Sequence, residues 1–445
     1  MKPVFEQIFH GGQVFTPNGL ERVDIAVQAG RISAIGTLHP AQAGQAIDAA
    51  GLTILPGVID TQVHFREPGL EHKEDLASGS RAAALGGVTA FFEMPNTKPA
   101  TISEAALADK LARAAGRCVV DYAFYVGATQ ENAHQLGELE RLPGCCGIKT
   151  FMGSSTGSLL VGDDAGLEAV LAAIQRRGAF HAEDEARLQA RMKLAIAGDP
   201  SSHPLVRDDE AALLAVQRLV RMARKLGKRV HVLHVSSAKE MAFLAGAKDV
   251  ASVETTPQFL SFHGPDIYQR LGTLAQMNPP IRMASDLAAL WDLGITQGVV
   301  DVLATDHAPH TLAEKAQAYP ASPSGMPGVQ TLVPVMATHM LDGRLSLARF
   351  VDLTSAGPAR LFGIQGKGRI ALGYDADFTV MDMGLARTIS NADQASRVGW
   401  TPFDGWPAKA WPVMTIVRGH IVMREGEVPG PACGAPLRFL ECLKN

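Results

Sequence analysis

The stretch Leu55-Pro56-Gly57-Val58-Ile59-Asp60-Thr61-Gln62-Val63-His64-Phe65-Arg66-Glu67-Pro68-Gly69 indicates how the whole chain folds. Thr53–Ile59 is apolar and β-branched and is followed at once by polar residues, which predicts a buried strand that ends at a polar rim. His64 and Arg66 lie two residues apart, so on a strand their side chains point the same way. This pattern is typical of a metal ligand beside an anion-binding group, although a surface His and Arg is the plainer alternative.

Composition predicts a globular protein with one large domain and a smaller one. The chain has 445 residues, of which 47% are hydrophobic and 19% are charged. A formal net charge of -4 without a basic run argues against a nucleic-acid partner. The five cysteines form no even framework, so we expect a reducing cytoplasm. We find no signal-like start and no apolar run of about 18 residues, and we therefore expect no membrane span.

The two ends of the sequence have the same character. Residues 1 to about 52 and the segment from Gly368 onward consist of short alternating strands between turn residues. We infer that both termini join into one small β-sandwich domain. The predicted division is a first sandwich part over 1–55, a central domain over 56–365 and a second sandwich part over 366–445.

The central part alternates apolar strands with amphipathic helices, which predicts a parallel sheet covered by helices. Helices are predicted over Ser103–Ala115, Asp163–Arg177 and Asp208–Leu226. The eight predicted strands, the number that closes an α/β, TIM-like (β/α)8 barrel, are Thr53–Ile59, Gly87–Met94, Val119–Val126, Gly147–Phe151, Gly178–Ala182, Arg229–Val235, Val250–Thr256 and Val299–Ala304. A doubly wound open sheet is the alternative, but no Gly-x-Gly-x-x-Gly turn follows the first strand.

Polar residues cluster at the predicted strand ends, where a barrel places its chemistry. Histidine, lysine, arginine and carboxylate side chains converge there, which favours a site that binds zinc and activates water. The residues concerned are His64, Arg66, Glu93, Asn96, Lys149, His181, His231, His234, Asp306 and His310.

Each of these residues also has a structural interpretation. His181 follows Phe180 and could be a satisfied core histidine, and Asp306 could cap a helix. His231 and His234 are three apart and cannot face the same way on a strand, so His234, nearer the end, is the better ligand. A buried ammonium is costly, so Lys149 needs a carboxylate partner, a lowered pKa or a covalent modification.

With these residues in place, the sequence resembles the amidohydrolase superfamily and, within it, the long barrel-plus-sandwich dihydroorotases. The resemblance covers nearly the whole chain and rests on motifs in the same order. They are Pro56-Gly57-Val58-Ile59-Asp60 through Pro68-Gly69, Glu93-Met94-Pro95-Asn96-Thr97, Gly147-Ile148-Lys149, His181-Ala182-Glu183-Asp184, His231-Val232-Leu233-His234-Val235-Ser236, Asn278-Pro279-Pro280-Ile281-Arg282, Ala304-Thr305-Asp306-His307-Ala308-Pro309-His310 and Trp400-Thr401-Pro402-Phe403.

The resemblance implies one or two zinc ions per chain. It implies that Lys149 is carboxylated on Nζ and bridges two zinc ions, that His64 binds the more buried ion and that His181 and His234 bind the other. Asp306 would bind metal and act as general base and acid. One departure is plain, because the family has His-x-His where this chain has Gln62-Val63-His64. An amide oxygen is a poorer zinc donor than imidazole, so a weakened, a differently occupied and an empty first metal site all stay open.

The implied reaction is hydrolysis of a cyclic amide or its reverse, and the substrate carries a free carboxylate. Arg66 offers a planar fork for that carboxylate, with Asn96 and His310 adding hydrogen bonds. Asn278 matches a family position that contacts the substrate ring. The reaction expected is interconversion of dihydroorotate and N-carbamoyl-L-aspartate, in pyrimidine biosynthesis. A salt bridge from Arg66 to a neighbouring glutamate is the structural alternative.

Two rival functions stay open at this point. One is a related hydrolase of hydantoins or ureides, and the other is a non-catalytic relative that serves as a structural partner of aspartate transcarbamoylase, which Gln62 favours. We also expect a homo-oligomer. Finally, the proline- and glycine-containing segment from Thr311 to Gly328 predicts either a lid over the site or an ordered surface loop.

Overall fold

Eight parallel strands with helices between them form the centre of this protein in the computed structural model, which describes residues 3–155 and 159–442. Neighbouring strands pair in the order of the sequence, from the first to the eighth. In chain order these barrel strands are Val58–Val63, Val88–Glu93, Asp121–Gly127, Cys145–Phe151, Gly178–His181, Val230–Val232, Ala251–Thr255 and Val302–Leu303.

The sheet closes on itself where the first strand meets the segment that follows the eighth. Val63 pairs in parallel with His307, and the His64 amide N–H donates to the His307 carbonyl oxygen over 2.7 Å. The predicted barrel is therefore confirmed and the doubly wound alternative is wrong. Closure places the carboxyl ends of all eight strands around one mouth, which is where such barrels carry their functional groups.

Helices lie between the strands, and several of them begin at side-chain caps that the sequence already shows. Ser103, Asp163 and Asp208 each accept a hydrogen bond from a backbone N–H in the first turn of the three helices that were predicted. The α-helices are Leu76–Leu85, Glu104–Ala114, Leu136–Leu139, Asp164–Ala173, Glu185–Arg191, His203–Val206, Asp209–Leu226, Ala238–Ala245, Pro257–Ser261, Asp266–Leu271, Ala284–Ala289, Leu312–Lys315, Leu332–Leu341, Leu347–Val351 and Gly357–Phe362.

Shorter helical turns complete the helical layer. The π-helical segments are Leu290–Thr296 and Asp352–Ala356. The 3₁₀ turns are Pro40–Gln42, Ala133–Gln135, Met192–Leu194, Pro200–Ser202, Gly272–Ala275 and Asn391–Asp393. No helix in the described part of the chain is both long enough and apolar enough to cross a lipid bilayer.

Both termini contribute to a pair of β-sheets beside the barrel, as predicted. A four-stranded sheet has the order Arg31–Gly36, Asp24–Gln28, Phe5–His10, Ala43–Asp48, and a six-stranded sheet has the order His420–Arg424, Trp411–Val417, Phe378–Asp382, Thr53–Pro56, Gln13–Thr16, Gly19–Glu21. Their apolar side chains share one core, in which Phe9 and Phe378 meet edge to face. A further two-stranded sheet joins Arg387–Thr388 to Pro407–Ala408. The division at residues 55/56 and 365/366 stays a prediction.

The first predicted strand is wrong as a single element. Thr53–Pro56 belongs to the six-stranded sheet, where it pairs with Phe378–Asp382, and only Val58–Val63 enters the barrel. Gly57 separates the two strands, and a Cβ there would lie 2.3 Å from the Thr89 hydroxyl. The apolar run is continuous because both halves are buried, so the sequence hides the point at which the chain changes sheets.

Candidate metal and anion site

One cavity at the carboxyl ends of the barrel strands brings together nine of the ten residues that the family resemblance places in the metal and substrate sites. They are Gln62, His64, Arg66, Asn96, Lys149, His181, His234, Asn278 and Asp306. The tenth, His310, is buried one layer further out and does not line the cavity. His64 and Arg66 lie just beyond the first strand, which ends at Val63, rather than on it as predicted. The roles assigned to these residues stay predictions.

Two imidazoles meet at the ends of the fifth and sixth strands. His181 Nδ1 lies 3.0 Å from His234 Nε2, and burial lowers the pKa of both rings, which are therefore neutral near pH 7. His181 Nε2 lies 2.8 Å from a carboxylate oxygen of Glu183, which places the ring proton on Nε2 and leaves the Nδ1 lone pair facing His234. A carboxylate behind a ring nitrogen in this way orients a histidine that binds metal through the other nitrogen.

Glu183 is itself held by Arg207, a residue that the sequence did not single out. The Arg207 Nε–H donates to Glu183 Oε2 over 3.1 Å. Burial alone would raise the pKa of Glu183, but the charge of Arg207 and the hydrogen bonds from Arg207 and His181 outweigh it and hold that pKa well below its usual range. Glu183 follows His181 at a spacing of two, so its place behind the ring could have been predicted. Arg207 lies 24 residues from Glu183 and carried no such signal.

His64 and Asp306 form a second group of metal-binding atoms. His64 Nδ1 lies 2.8 Å from the Asn96 side-chain oxygen, and His64 Nε2 lies 3.2 Å from Asp306 Oδ1. Burial lowers the pKa of His64 to about 4, so at neutral pH the ring has one proton for two oxygen neighbours. If Nδ1 carries that proton and donates it to Asn96, the lone pair of Nε2 faces the carboxylate oxygen of Asp306. Two electron-rich atoms held this close together form a favourable site for a cation.

Lys149 is a buried amine in the wall of the same cavity. Its side chain is 1% exposed, and its Nζ has no hydrogen-bond partner within the described residues. Burial lowers the pKa of Lys149 to about 7, while the charge of Asp306 acts in the opposite direction. This half-neutral amine lies over the Phe151 ring and makes no hydrogen bond, so an additional group would satisfy it.

Gln62 takes the place of the first histidine of the family motif and makes a different contact. Its Nε2 donates to Asp306 Oδ1 over 2.9 Å, while its buried Oε1 has no partner in the described structure. An imidazole with a lone pair here would share a metal with Asp306, whereas an amide N–H competes with a metal for the same carboxylate oxygen.

Three of the cavity residues have strained backbones. Six non-glycine residues of the described chain have a positive φ, and Arg66 (66°), His234 (39°) and Asp306 (46°) are among them. Such conformations are uncommon for residues other than glycine and cluster at functional sites, where the surrounding fold holds them. Half of the strained positions therefore belong to this one cavity.

Arg66 extends along the cavity wall and supplies the positive charge expected for an anion. Its side chain is 1% exposed, its Nε–H donates to the Pro309 carbonyl over 3.2 Å, and its outer nitrogen lies 3.2 Å from His310 Nε2. Burial lowers its pKa to about 10, so it stays charged at neutral pH. The alternative of a salt bridge to Glu67, Glu71 or Glu74 is wrong, because no carboxylate oxygen of the described residues lies within 4.0 Å of the Arg66 guanidinium.

His310 and Asn278 lie at different depths relative to the cavity: Asn278 lines it, and His310 lies behind its wall. His310 contacts Arg66 and Lys73 rather than the cavity, and its carbonyl oxygen accepts a hydrogen bond from the Trp400 indole N–H over 2.8 Å. His310 thus lies behind Arg66, and its hydrogen bond to the substrate carboxylate stays a prediction. Asn278 lines the cavity, with its side-chain oxygen 2.9 Å from His203 Nε2.

The segment from Thr311 to Gly328 closes the cavity from above. Ser324 and Gly325 line it, and Lys315 anchors the segment by donating to the carbonyl oxygens of Gln276 and Pro323. The cavity volume is about 20 Å³, room for about one water molecule. A ring-sized substrate therefore requires part of this wall to move, and a lid role for the segment stays a prediction.

The donor set fits a divalent metal ion when Lys149 is included. Within residues 3–155 and 159–442, no three His, Cys, Asp or Glu side chains are grouped so that they could hold a metal by themselves. The imidazole pair and the His64–Asp306 pair each supply two converging atoms, and the unpartnered Nζ of Lys149 lies in the same cavity wall. Imidazole nitrogen and carboxylate oxygen are ligands that zinc prefers.

The sequence profile of the amidohydrolase family matches residues 53–422. The chain belongs to the amidohydrolase family. This amidohydrolase is 40% identical over 417 residues to a dihydroorotase from Halobacterium salinarum, with 90% of this chain and 93% of that protein covered. It is 35% identical over 447 residues to an allantoinase from Solibacter usitatus, with 97% of each covered.

A solved structure of similar shape is that of an L-hydantoinase (dihydropyrimidinase) from Arthrobacter aurescens. Its TM-score is 0.92 at 29% identity, and the match covers 97% of this amidohydrolase and 99% of that chain. The predicted resemblance to amidohydrolases, and to dihydroorotases among them, is confirmed, as is the prediction of a hydrolase enzyme. The names of these relatives point to different substrates.

Proposed function

We propose that this amidohydrolase is a dihydroorotase, which interconverts dihydroorotate and N-carbamoyl-L-aspartate by hydrolysis of the cyclic amide. The observation that carries the proposal is the position of Arg66, a buried and charged guanidinium in the wall of the cavity that also contains the candidate metal ligands. A planar guanidinium binds a carboxylate through two parallel hydrogen bonds, and dihydroorotate has a free carboxylate next to its amide ring. Asn96 and Asn278 line the same cavity, where Asn96 would add a hydrogen bond to the carboxylate and Asn278 would contact the ring.

The metal ligands in this proposal are His64, His181, His234, Asp306 and Lys149. Lys149 would serve as a carbamate, because carboxylation turns an unpaired buried cation into an anion and gives the site the oxygen ligands it lacks. Zinc is the metal we expect, from the donor types and from the family resemblance. When bound, it would polarise the scissile carbonyl and favour ionisation of water.

Asp306 is the proton carrier in the proposed reaction. Its carboxylate would take a proton from the attacking water and return it to the ring nitrogen as the C–N bond breaks, so that one group acts as base and then as acid. Gln62 holds Oδ1 by donating over 2.9 Å, which fixes the orientation of the carboxylate. Arg66 would hold the substrate carboxylate so that the amide carbon faces this group.

Two other functions have specific support. The allantoinase and L-hydantoinase relatives favour a hydrolase of other cyclic ureides. Gln62 favours a non-catalytic relative that binds aspartate transcarbamoylase, because it weakens one half of the metal site. A cytoplasmic location and a homo-oligomer also belong to the proposal.

The deciding experiment measures turnover and metal content on the same purified protein. We expect about one or two zinc ions per chain and faster turnover of dihydroorotate than of hydantoin or allantoin. Faster turnover of hydantoin or allantoin would show that one of these compounds, and not dihydroorotate, is the preferred substrate. No turnover of any of them, together with less than about one zinc per chain, would favour the non-catalytic partner.

A further inference from the structure

A second cavity with strongly basic walls lies at the opposite end of the barrel from the candidate site. Its volume is about 230 Å³, and its wall contains Arg176, Arg177, Arg229 and Arg360 against a single carboxylate, Glu441. We name it the basic pocket. Arg177 and Arg229 directly precede the fifth and sixth barrel strands, so the pocket opens at the amino ends of the strands, whereas the candidate site lies at their carboxyl ends.

The barrel itself forces two of these cations together. Gly178 and Val230 are paired in register, so the residues before them, Arg177 and Arg229, are neighbours. Burial and the adjacent charge of Arg229 together lower the pKa of Arg177 to about 10, while the charge of Asp301 acts in the opposite direction. Like charges held side by side in this way destabilise the folded chain unless an anion lies between them.

The hydrogen bonds of the pocket leave Arg177 and Arg229 without a carboxylate in direct contact. Arg177 donates through Nη1 to the Val230 carbonyl and the Ser252 hydroxyl, while its Nε–H is buried without a partner among the described residues. No carboxylate oxygen in the described chain lies within 4.0 Å of the Arg177 or Arg229 guanidinium. Arg360 is paired with Asp352, and Arg176 donates to the carbonyl oxygens of Glu140 and Cys145.

We propose that the basic pocket binds a phosphate group, either as free phosphate or as part of a small phosphate ester. Guanidinium groups bind phosphate oxygens through paired hydrogen bonds, and a dianion would neutralise the two arginines that lack a carboxylate. A volume of about 230 Å³ lies just below the range of about 300–1,000 Å³ typical of drug-sized ligands and leaves room for a phosphate group. The inference is independent of the proposed function.

The test is calorimetric titration of the full-length, metal-loaded protein at constant ionic strength with inorganic phosphate, glycerol phosphate and acetate. Arg229→Gln is the main variant, because Arg229 is exposed and has no hydrogen-bond or ion-pair partner in the described structure, so the fold does not depend on it. Arg360→Gln is the second variant. Arg221→Gln is the matched control, because Arg221 is an exposed arginine outside the pocket that lies 3.7 Å from Asp164.

We expect saturable binding of phosphate or its ester that is weakened about tenfold or more by Arg229→Gln and by Arg360→Gln, and less than about twofold by Arg221→Gln. Tighter binding of inorganic phosphate would identify free phosphate as the natural ligand, and tighter binding of glycerol phosphate would identify a phosphate ester. The proposal is overturned if neither probe saturates by about 10 mM, if acetate binds as well as phosphate, or if Arg221→Gln weakens binding equally. If Arg229→Gln leaves phosphate binding unchanged, the phosphate binds outside the basic pocket, and the proposal is overturned as well.

Discussion

Replacement of Arg66 by methionine separates recognition of the substrate carboxylate from chemistry on the ring. Arg66 is 1% exposed and its pKa of about 10 keeps it charged at pH 7.5, so its bond to a carboxylate would form in a site shielded from water. Hydrogen bonds to charged groups contribute about 1.5–3 kcal/mol each, and loss of one partner of a buried charge pair costs about 2–5 kcal/mol. We take about 3 kcal/mol, which corresponds to a loss of about 100-fold in kcat/KM.

The assay compares dihydroorotate with dihydrouracil, the same ring without the carboxylate. Arg66→Met is expected to lower kcat/KM for dihydroorotate about 100-fold and to change that for dihydrouracil less than about threefold. Competitive inhibition by orotate and uracil gives a second comparison that needs no turnover of the poor substrate, and only orotate should bind more weakly. Arg66→Lys keeps the positive charge but loses the planar guanidinium that makes two parallel hydrogen bonds. Its kcat/KM for dihydroorotate should therefore lie between those of the wild type and Arg66→Met.

The control is Arg31→Met, which removes an arginine that is 51% exposed on the sandwich, together with a thermal melt of each variant. Equal losses for dihydroorotate and dihydrouracil would refute the reasoning. That result would give Arg66 a structural role at the rim, where it contacts Pro309 and His310. It would also favour hydantoins and ureides over dihydroorotate as substrates.

Three further predictions concern the metal centre. Asp306→Asn should lower kcat about 10²–10⁴-fold with little change in KM, and a loss confined to KM would contradict proton transfer by this group. Gln62→His should raise the zinc content measured by mass spectrometry toward about two per chain, because an imidazole replaces the amide N–H that now binds Asp306 Oδ1; an unchanged content would show that Gln62 does not limit it. Carboxylation requires the neutral amine of Lys149, whose pKa is about 7, so the rate of zinc reconstitution at fixed dissolved CO2 should rise about tenfold from pH 6 to pH 8. A rise of about 100-fold would indicate an ordinary lysine pKa.

Much of the fold followed from local patterns. The alternation of apolar strands and capped helices predicted eight barrel strands, and the short alternating segments at both ends predicted the sheets beside the barrel. The predicted boundaries differ from the structure where burial is continuous. Thr53–Ile59 divides between two sheets at Gly57, and the predicted strand Arg229–Val235 shortens to Val230–Val232. Local hydrophobicity reports that a residue is buried and does not report which sheet buries it.

The sequence by itself determined which chemical groups stand at the strand ends, because the carboxyl ends of parallel strands must share one mouth. Only the tertiary structure decided which atoms face one another. Gln62 and Asp306 are 244 residues apart, and their hydrogen bond exists because Val63 pairs with His307 to close the barrel. The same closure moves His310 behind Arg66, and the pairing of the fifth and sixth strands brings Arg177 beside Arg229. Such contacts depend on strand register and barrel closure, which are properties of the assembled sheet and have no local sequence signal.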